Sequence, residues 1–160
     1  MLKDLKKYPK HTITSTIMCA GNRRSEMTKV KGVKGLSWGQ AAIGNAKWSG
    51  ARLCDVLKDM GIEDGKTDAL HVQFEGLDTD PANMPYGASI PIEKALDPHG
   101  DVILAYEMNG EPIPRDHGYP VRVIVLFSSQ NSKWLLDEKV HIFFDQESRK
   151  YIHKNVIRTG

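Results

Sequence analysis

The chain has 160 residues, 40% of them hydrophobic, enough for one domain with a real core and too few for two of ordinary size. Its 22 basic and 20 acidic side chains leave a formal charge of +2 with no long single-sign run, so nucleic-acid binding is not indicated. No stretch approaches the roughly 18 consecutive apolar residues of a membrane span. The start, Met1 to Pro9, lacks both the apolar segment of a secretory signal and the arginine-rich, acid-poor character of a transit peptide. The expectation is a soluble chain without a targeting segment.

In chain order, Leu2 to Lys10 predicts a short amphipathic helical turn closed by Pro9, and the β-branched run His11 to Met18 predicts a strand. Cys19 ends that strand, where α/β folds display reactive groups on loops held by a rigid element. The stretch Met18 to Met27 is the most chemically loaded in the chain. A thiol acts as nucleophile or metal ligand only as thiolate, and cations such as Arg23 and Arg24 stabilise that anion. Gly21 and Asn22 tolerate a tight turn, so the segment suits a soft metal beside an oxyanion. The competing reading of Cys19 is a small buried hydrophobe. Cys19 and Cys54 together fit neither a disulfide framework nor a four-ligand zinc site, and both are expected to be reduced.

Lys29 to Gly35 is basic and glycine-punctuated, which predicts a loop with solvated lysines; Trp38 to Ala46 carries no clear pattern. Gly50 to Gly61 predicts a helix capped by Ser49, with Leu53, Val56, Leu57 and Met60 on its apolar face and Cys54 packed near them. Trp38 and Trp48 are expected in the core or a pocket wall. Leu70 to Glu75 alternates as a half-buried strand, followed by a polar loop over Gly76 to Pro81 whose aspartates suit Asx turns. Tyr86 to Leu96 predicts a turn into a short helix capped by Ser89 or Ile90, Asp101 to Met108 a strand, and Asn109-Gly110 a hairpin turn. Pro112 and Pro114 keep the return strand at an edge. His117 and Arg122 stand in a loop braced by Gly118 and Pro120, where they can hold an anion between them; the alternatives are a solvated histidine and an Asp116–Arg122 pair. Several strands with a few short helices make the fold class α+β.

The block Cys19-Ala20-Gly21-Asn22-Arg23-Arg24, with Tyr106-Glu107-Met108-Asn109-Gly110-Glu111-Pro112 and Arg115-Asp116-His117-Gly118-Tyr119-Pro120-Val121-Arg122, closely resembles the molybdenum-cofactor domain of eukaryotic, animal-like sulfite oxidases. The resemblance implies the sulfite-oxidase-type molybdopterin-binding fold and oxidation of sulfite to sulfate by oxygen-atom transfer. It makes Cys19 the molybdenum ligand and Arg24 the anion-binding group of the active site. It also gives pterin-cofactor contacts to Asp78, in a Leu-Asp-x-Asp-Pro loop, and to His117, Arg122 and Lys133. A soft thiolate suits a thiophilic metal, and an aspartate suits a pterin ring's N–H donors.

Residues 1–125 form the core of the resemblance, and 126–160 are a divergent segment of the same domain. Leu126 to Ser132 stands where the family carries a glycine-rich loop, although Lys133-Trp134-Leu135 survives; Tyr151 is an uncommitted counterpart of the family's substrate-site tyrosine. Against the family pattern the chain is expected to be a core excerpt without the haem-binding domain, an upstream Arg-Asn-His segment or the dimerisation domain. By resemblance the electron acceptor is cytochrome c or a haem domain, and the compartment is the mitochondrial intermembrane space, with the cytoplasm as the alternative given no presequence. Two other readings stand beside sulfite oxidation: a nitrate-reductase-like molybdoenzyme, and a non-catalytic remnant acting as a weak pterin-binding or interaction scaffold.

Overall fold

A computed structural model describes residues 2–19, 21–79, 82–126 and 139–143, with backbone alone for Leu77, Asp78 and 139–143. Along the chain run α1 (Leu2–Leu5), β1 (Lys10–Met18), α2 (Arg24–Val30), β2 (Ile43–Arg52), α3 (Leu53–Asp59), β3 (His71–Thr79) and β4 (Pro85–Pro91). They are followed by α4 (Ile92–Leu96), β5 (Val102–Met108), β6 (Glu111–Pro112), a 3-10 turn at Arg115–His117, β7 (Arg122–Val125) and β8 (Lys139–Phe143). One sheet runs β1-β2-β5, with both β6 and β7 pairing β5; the other runs β4-β3-β8. In the first sheet β2 is antiparallel to β1 and to β5, so β1 and β5 end at the same edge of the molecule.

The side-chain alternation of β5 explains the two-sided core. Val102, Leu104 and Tyr106 join the cluster of α1, α3, α4 and the second sheet, which includes Leu53, Leu57, Val72 and Ile90. Ile103 and Ala105 point to the opposite face, where Ile13, Trp48, Ile113 and Ile124 gather. A strand buried on both faces reads as a continuous apolar run, as Val102 to Tyr106 does.

The structure departs from the sequence expectation where strand pairing outweighs a local helical pattern. Ser49 caps no helix: it lies in β2 opposite Thr12 and Glu107, with its Oγ 2.9 Å from Thr12 Oγ1. Pairing with β1 through Ala51 and with β5 through Arg52 extends the strand, and α3 begins at Leu53 with Arg52 in an extended conformation. Ser89 and Ile90 likewise pair with Gln73 and Val72 in β4, and α4 starts after Pro91. The segment from Gly76 continues β3 to Thr79 instead of looping away, and Lys29 and Val30 close α2. The Asn109-Gly110 hairpin between β5 and β6 matches expectation, with φ of 54° and 91° as a primed turn requires.

Tyr8 ties the N-terminal segment to α3, its Oη donating to Asp59 Oδ2 at 2.7 Å. This bond, followed by desolvation and nearby carboxylates, pushes the phenol up to about 12. The folded value lies above the unfolded value of about 10. The stabilisation is therefore complete below pH about 10 and lost as pH rises through about 12. Tyr8→Phe should flatten that alkaline limb in a plot of denaturant midpoint against pH; a limb of unchanged depth would assign it to another group.

Candidate functional site

Cys19 leaves β1 with its amide donating to Ala42 O at 2.9 Å, continuing the β1–β2 ladder by one residue. The chain then turns. Asn22 N donates to Cys19 O at 2.9 Å, and the Asn22 side chain accepts from Ala42 N at 3.0 Å, so the turn is pinned back onto β2. Cys19 is exposed, and Gly21 N donates to its Sγ at 3.3 Å. Hence the thiol faces outward on a rigid strand end, with a backbone donor already aimed at sulfur. Cys54 differs in every respect: it is buried in α3, and burial first, then Asp55, pushes its thiol up. At neutral pH it stays protonated and packs, as expected from the sequence.

The two arginines after the turn have separate fates. Arg23 has a left-handed backbone and gives its Nε–H to Glu26 Oε2 at 2.7 Å, while Glu26 also accepts from Gln40. The Arg23 guanidinium, then Gln40, holds the Glu26 carboxyl below its usual range, and the Arg23 charge is spent on that pair. Arg24 has no carboxylate partner among the described residues. Its Nη1 donates to Leu36 O at 2.9 Å, and its Nε is buried with no hydrogen bond among the described residues. The guanidinium lies between two glycines. A Cβ on Gly35 (φ +117°) would sit 2.5 Å from Nη1, and one on Gly21 would sit 3.2 Å from Nη2. At Gly35, with its left-handed backbone, only glycine allows that approach. The segment from Ser37 is strapped across α2 by Ser25, whose Oγ lies 2.6 Å from Ser37 Oγ, and brings Trp38 to the same corner, half exposed.

A second cationic locus forms in the loop that leads into β7, at the edge where β1 also ends. Arg122 Nη1 donates to His117 O at 3.1 Å, and the guanidinium carbon lies 5.5 Å from the centre of the Trp48 ring. The Asp116–Arg122 pair left open by the sequence does not form; Asp116 stands 3.9 Å from His117 Nε2 instead. Cys19 pairs at Ala42, whereas Arg122 leans on Trp48 six positions along β2. At about 3.3 Å per residue the offset along the strand is roughly 20 Å. Cys19 and Arg24 thus make one locus, and His117 and Arg122 another. Asp78 lies in β3 by its backbone, with its side chain outside the described set; Lys133 and Tyr151 lie outside the described residues.

These donors restrict what the site can hold. Among the described residues no three His, Cys, Asp or Glu side chains cluster to cage an ion. A metal on Cys19 would therefore find no such cage among the described residues. An outward thiol, with two guanidinium groups that no carboxylate pairs among the described residues, offers donors that suit a soft metal and an anion. Sequence reasoning missed the packing roles of Gly21 and Gly35 and the stacking of Trp48 on Arg122. The second joins residues distant in the chain and leaves no local signal.

Residues 1–151 match the family described as the oxidoreductase molybdopterin binding domain. Over 136 residues, 84% of this chain and 23% of the relative, the sequence is 65% identical to the mitochondrial sulfite oxidase of Drosophila melanogaster. Identity to the human mitochondrial sulfite oxidase is 58% over 136 residues, 84% of this chain and 25% of the relative. The structure is similar to the sulfane dehydrogenase SoxCD of Paracoccus pantotrophus, with TM-score 0.59 and 31% identity over 77% of this chain and 29% of that one. The chain thus spans about a quarter of the length of these curated relatives. No helix of the described residues is long and apolar enough to cross a membrane.

Proposed function

The chain belongs to the oxidoreductase molybdopterin-binding domain family, and from that premise we propose that it forms the core of a sulfite-oxidising site. In this reading Cys19 is the molybdenum-ligating thiolate and Arg24 receives the anionic substrate. His117 and Arg122, with Asp78 and Lys133, hold the pterin and its phosphate. The observation that supports it most is the outward Cys19 thiol, with the Gly21 N–H on its sulfur, one turn from a glycine-cradled Arg24 that no carboxylate neutralises among the described residues.

When bound, the molybdenum cofactor supplies the redox chemistry that converts sulfite to sulfate. The protein supplies position and charge. The planar guanidinium fork of Arg24 matches an oxyanion edge. Its anchorage on Leu36 O between two glycines means little reorganisation is needed when a dianion arrives. At the far locus Arg122 neutralises the phosphate end of the cofactor. A mitochondrial setting, with cytochrome c or a haem domain as acceptor, follows from the animal relatives' names and the sequence resemblance.

The test is electron flow from the cofactor-loaded full chain to an artificial acceptor. Sulfite-dependent reduction of the acceptor is the expected result. Oxidation of a donor dependent on nitrate, with none driven by sulfite, would move the chain to the nitrate-reducing reading.

A further inference from the structure

Among the described residues three contacts hold the Arg122 side chain, none of them a carboxylate. The Trp48 ring lies 5.5 Å from its guanidinium carbon, the His117 carbonyl accepts from Nη1 at 3.1 Å, and Gly118 packs on its aliphatic stem. A Cβ on Gly118, whose φ is +97°, would meet Arg122 Cβ and Cδ at 3.4 Å. We propose that Trp48 is a positioning residue for anion binding by Arg122: its indole face fixes the guanidinium without neutralising it, and so sets the affinity of this locus for a phosphate monoester. The inference rests on the assignment of Arg122 to the cofactor's phosphate.

A carboxylate would orient the guanidinium as firmly but would cancel its charge, whereas an aromatic face attracts the cation through its quadrupole and leaves the in-plane N–H groups free. Trp48 is a stiff platform for this. It is 3% exposed, paired with Ile13 on β1 and Met108 on β5, and packed among Ile103, Ala105, Ile113 and Ile124. Packing alone does not explain an indole there, because Nε1 is buried with no hydrogen bond among the described residues. Phenylalanine or leucine would occupy the apolar cluster without stranding a donor. The π face that indole presents to a cation is the strongest of the aromatic side chains, and Arg122 lies on it.

The experiment uses the full chain with Trp48→Phe, Trp48→Leu, Arg122→Lys and Arg122→Ala, and the Trp48 changes repeated in the Arg122→Ala background. Two quantities are read: the dissociation constant for inorganic phosphate, and pterin retained per chain after gel filtration, detected by its fluorescence once oxidised. Trp48→Leu should weaken phosphate binding roughly two- to thirtyfold, with Trp48→Phe in between. Neither should weaken it further once Arg122 is alanine. Arg122→Lys keeps the charge but loses the planar stack, and should lose affinity on the same scale; this variant carries the test if the Trp48 variants do not fold by circular dichroism. Equal losses in both backgrounds, or Arg122→Lys binding as tightly as the parent, would overturn the role of Trp48. Arg122→Ala binding phosphate and retaining pterin like the parent would instead overturn the assignment of Arg122 itself.

Discussion

Replacing Cys19 by alanine is expected to take the chain from near-stoichiometric molybdenum to background, when both forms are expressed in a host that makes the pterin cofactor and read by elemental mass spectrometry. The described residues contain no cluster of three potential ligands that would keep the metal in place once the thiolate is gone. Cys19→Ser keeps the size and position but offers a hard oxygen to a thiophilic metal, so sulfite turnover should fall to background as well. Turnover at the parent rate in the serine variant would remove Cys19 from the site. Cys54→Ala is the matched control: that thiol is buried in α3 and burial holds it protonated, so metal content should not change. A parent chain that folds but carries no molybdenum would replace the enzymatic reading with the scaffold reading.

Gly50→Ala is expected to be the most damaging single-methyl change in the described structure. Gly50 sits in β2 between His11 of β1 and Ala105 of β5, where the β2–β5 register shifts. A Cβ there would meet Leu104 O at 2.1 Å and Ala105 Cα at 2.6 Å. All the atoms met are backbone, so no side chain can rotate away; β5 itself must move. Overpacking of a core generally costs about 1–3 kcal/mol, and this contact belongs at the top of that range or above it. The damage should extend to the far locus, because β2 carries Trp48 and β5 pairs with β7 at Ala105–Arg122. Denaturant midpoints with Gly44→Ala as reference provide the check. Gly44 lies on the same strand with nothing within 4 Å of its missing Cβ, and its change should stay within about 0.5 kcal/mol. Equal midpoints for the two variants would mean that the β2–β5 pairing opens freely.

Local chemistry made some elements legible and hid others. The alternation of His11 to Met18 and the apolar run of Val102 to Tyr106 sufficed to predict β1 and β5, and Asn109-Gly110 to predict the hairpin. The stretch from Ser49 misled because its helical pattern does begin, at Leu53, while Gly50 and Ala51 are claimed by two neighbouring strands and Arg52 by β5. Ser89 and Ile90 were misleading for the same reason, since β3 pairs with them. Ladder hydrogen bonds with a distant strand leave no mark at the position that receives them.

The sequence by itself determined the family to which the chain is similar and marked Cys19, Arg24, His117 and Arg122 as candidates, with the roles that the resemblance implies for them. Residue type and short spacing make these groups candidates, because thiolate softness and guanidinium charge are properties of the side chain alone, while the resemblance supplies their roles. Only the tertiary structure decided which cation remains available. Glu26 neutralises Arg23, two glycines and Leu36 O brace Arg24, and Trp48 supports Arg122 without cancelling its charge. Availability of a charge depends on what stands within a few ångströms of it. At Arg122 those neighbours are set by strand register between residues far apart in the chain.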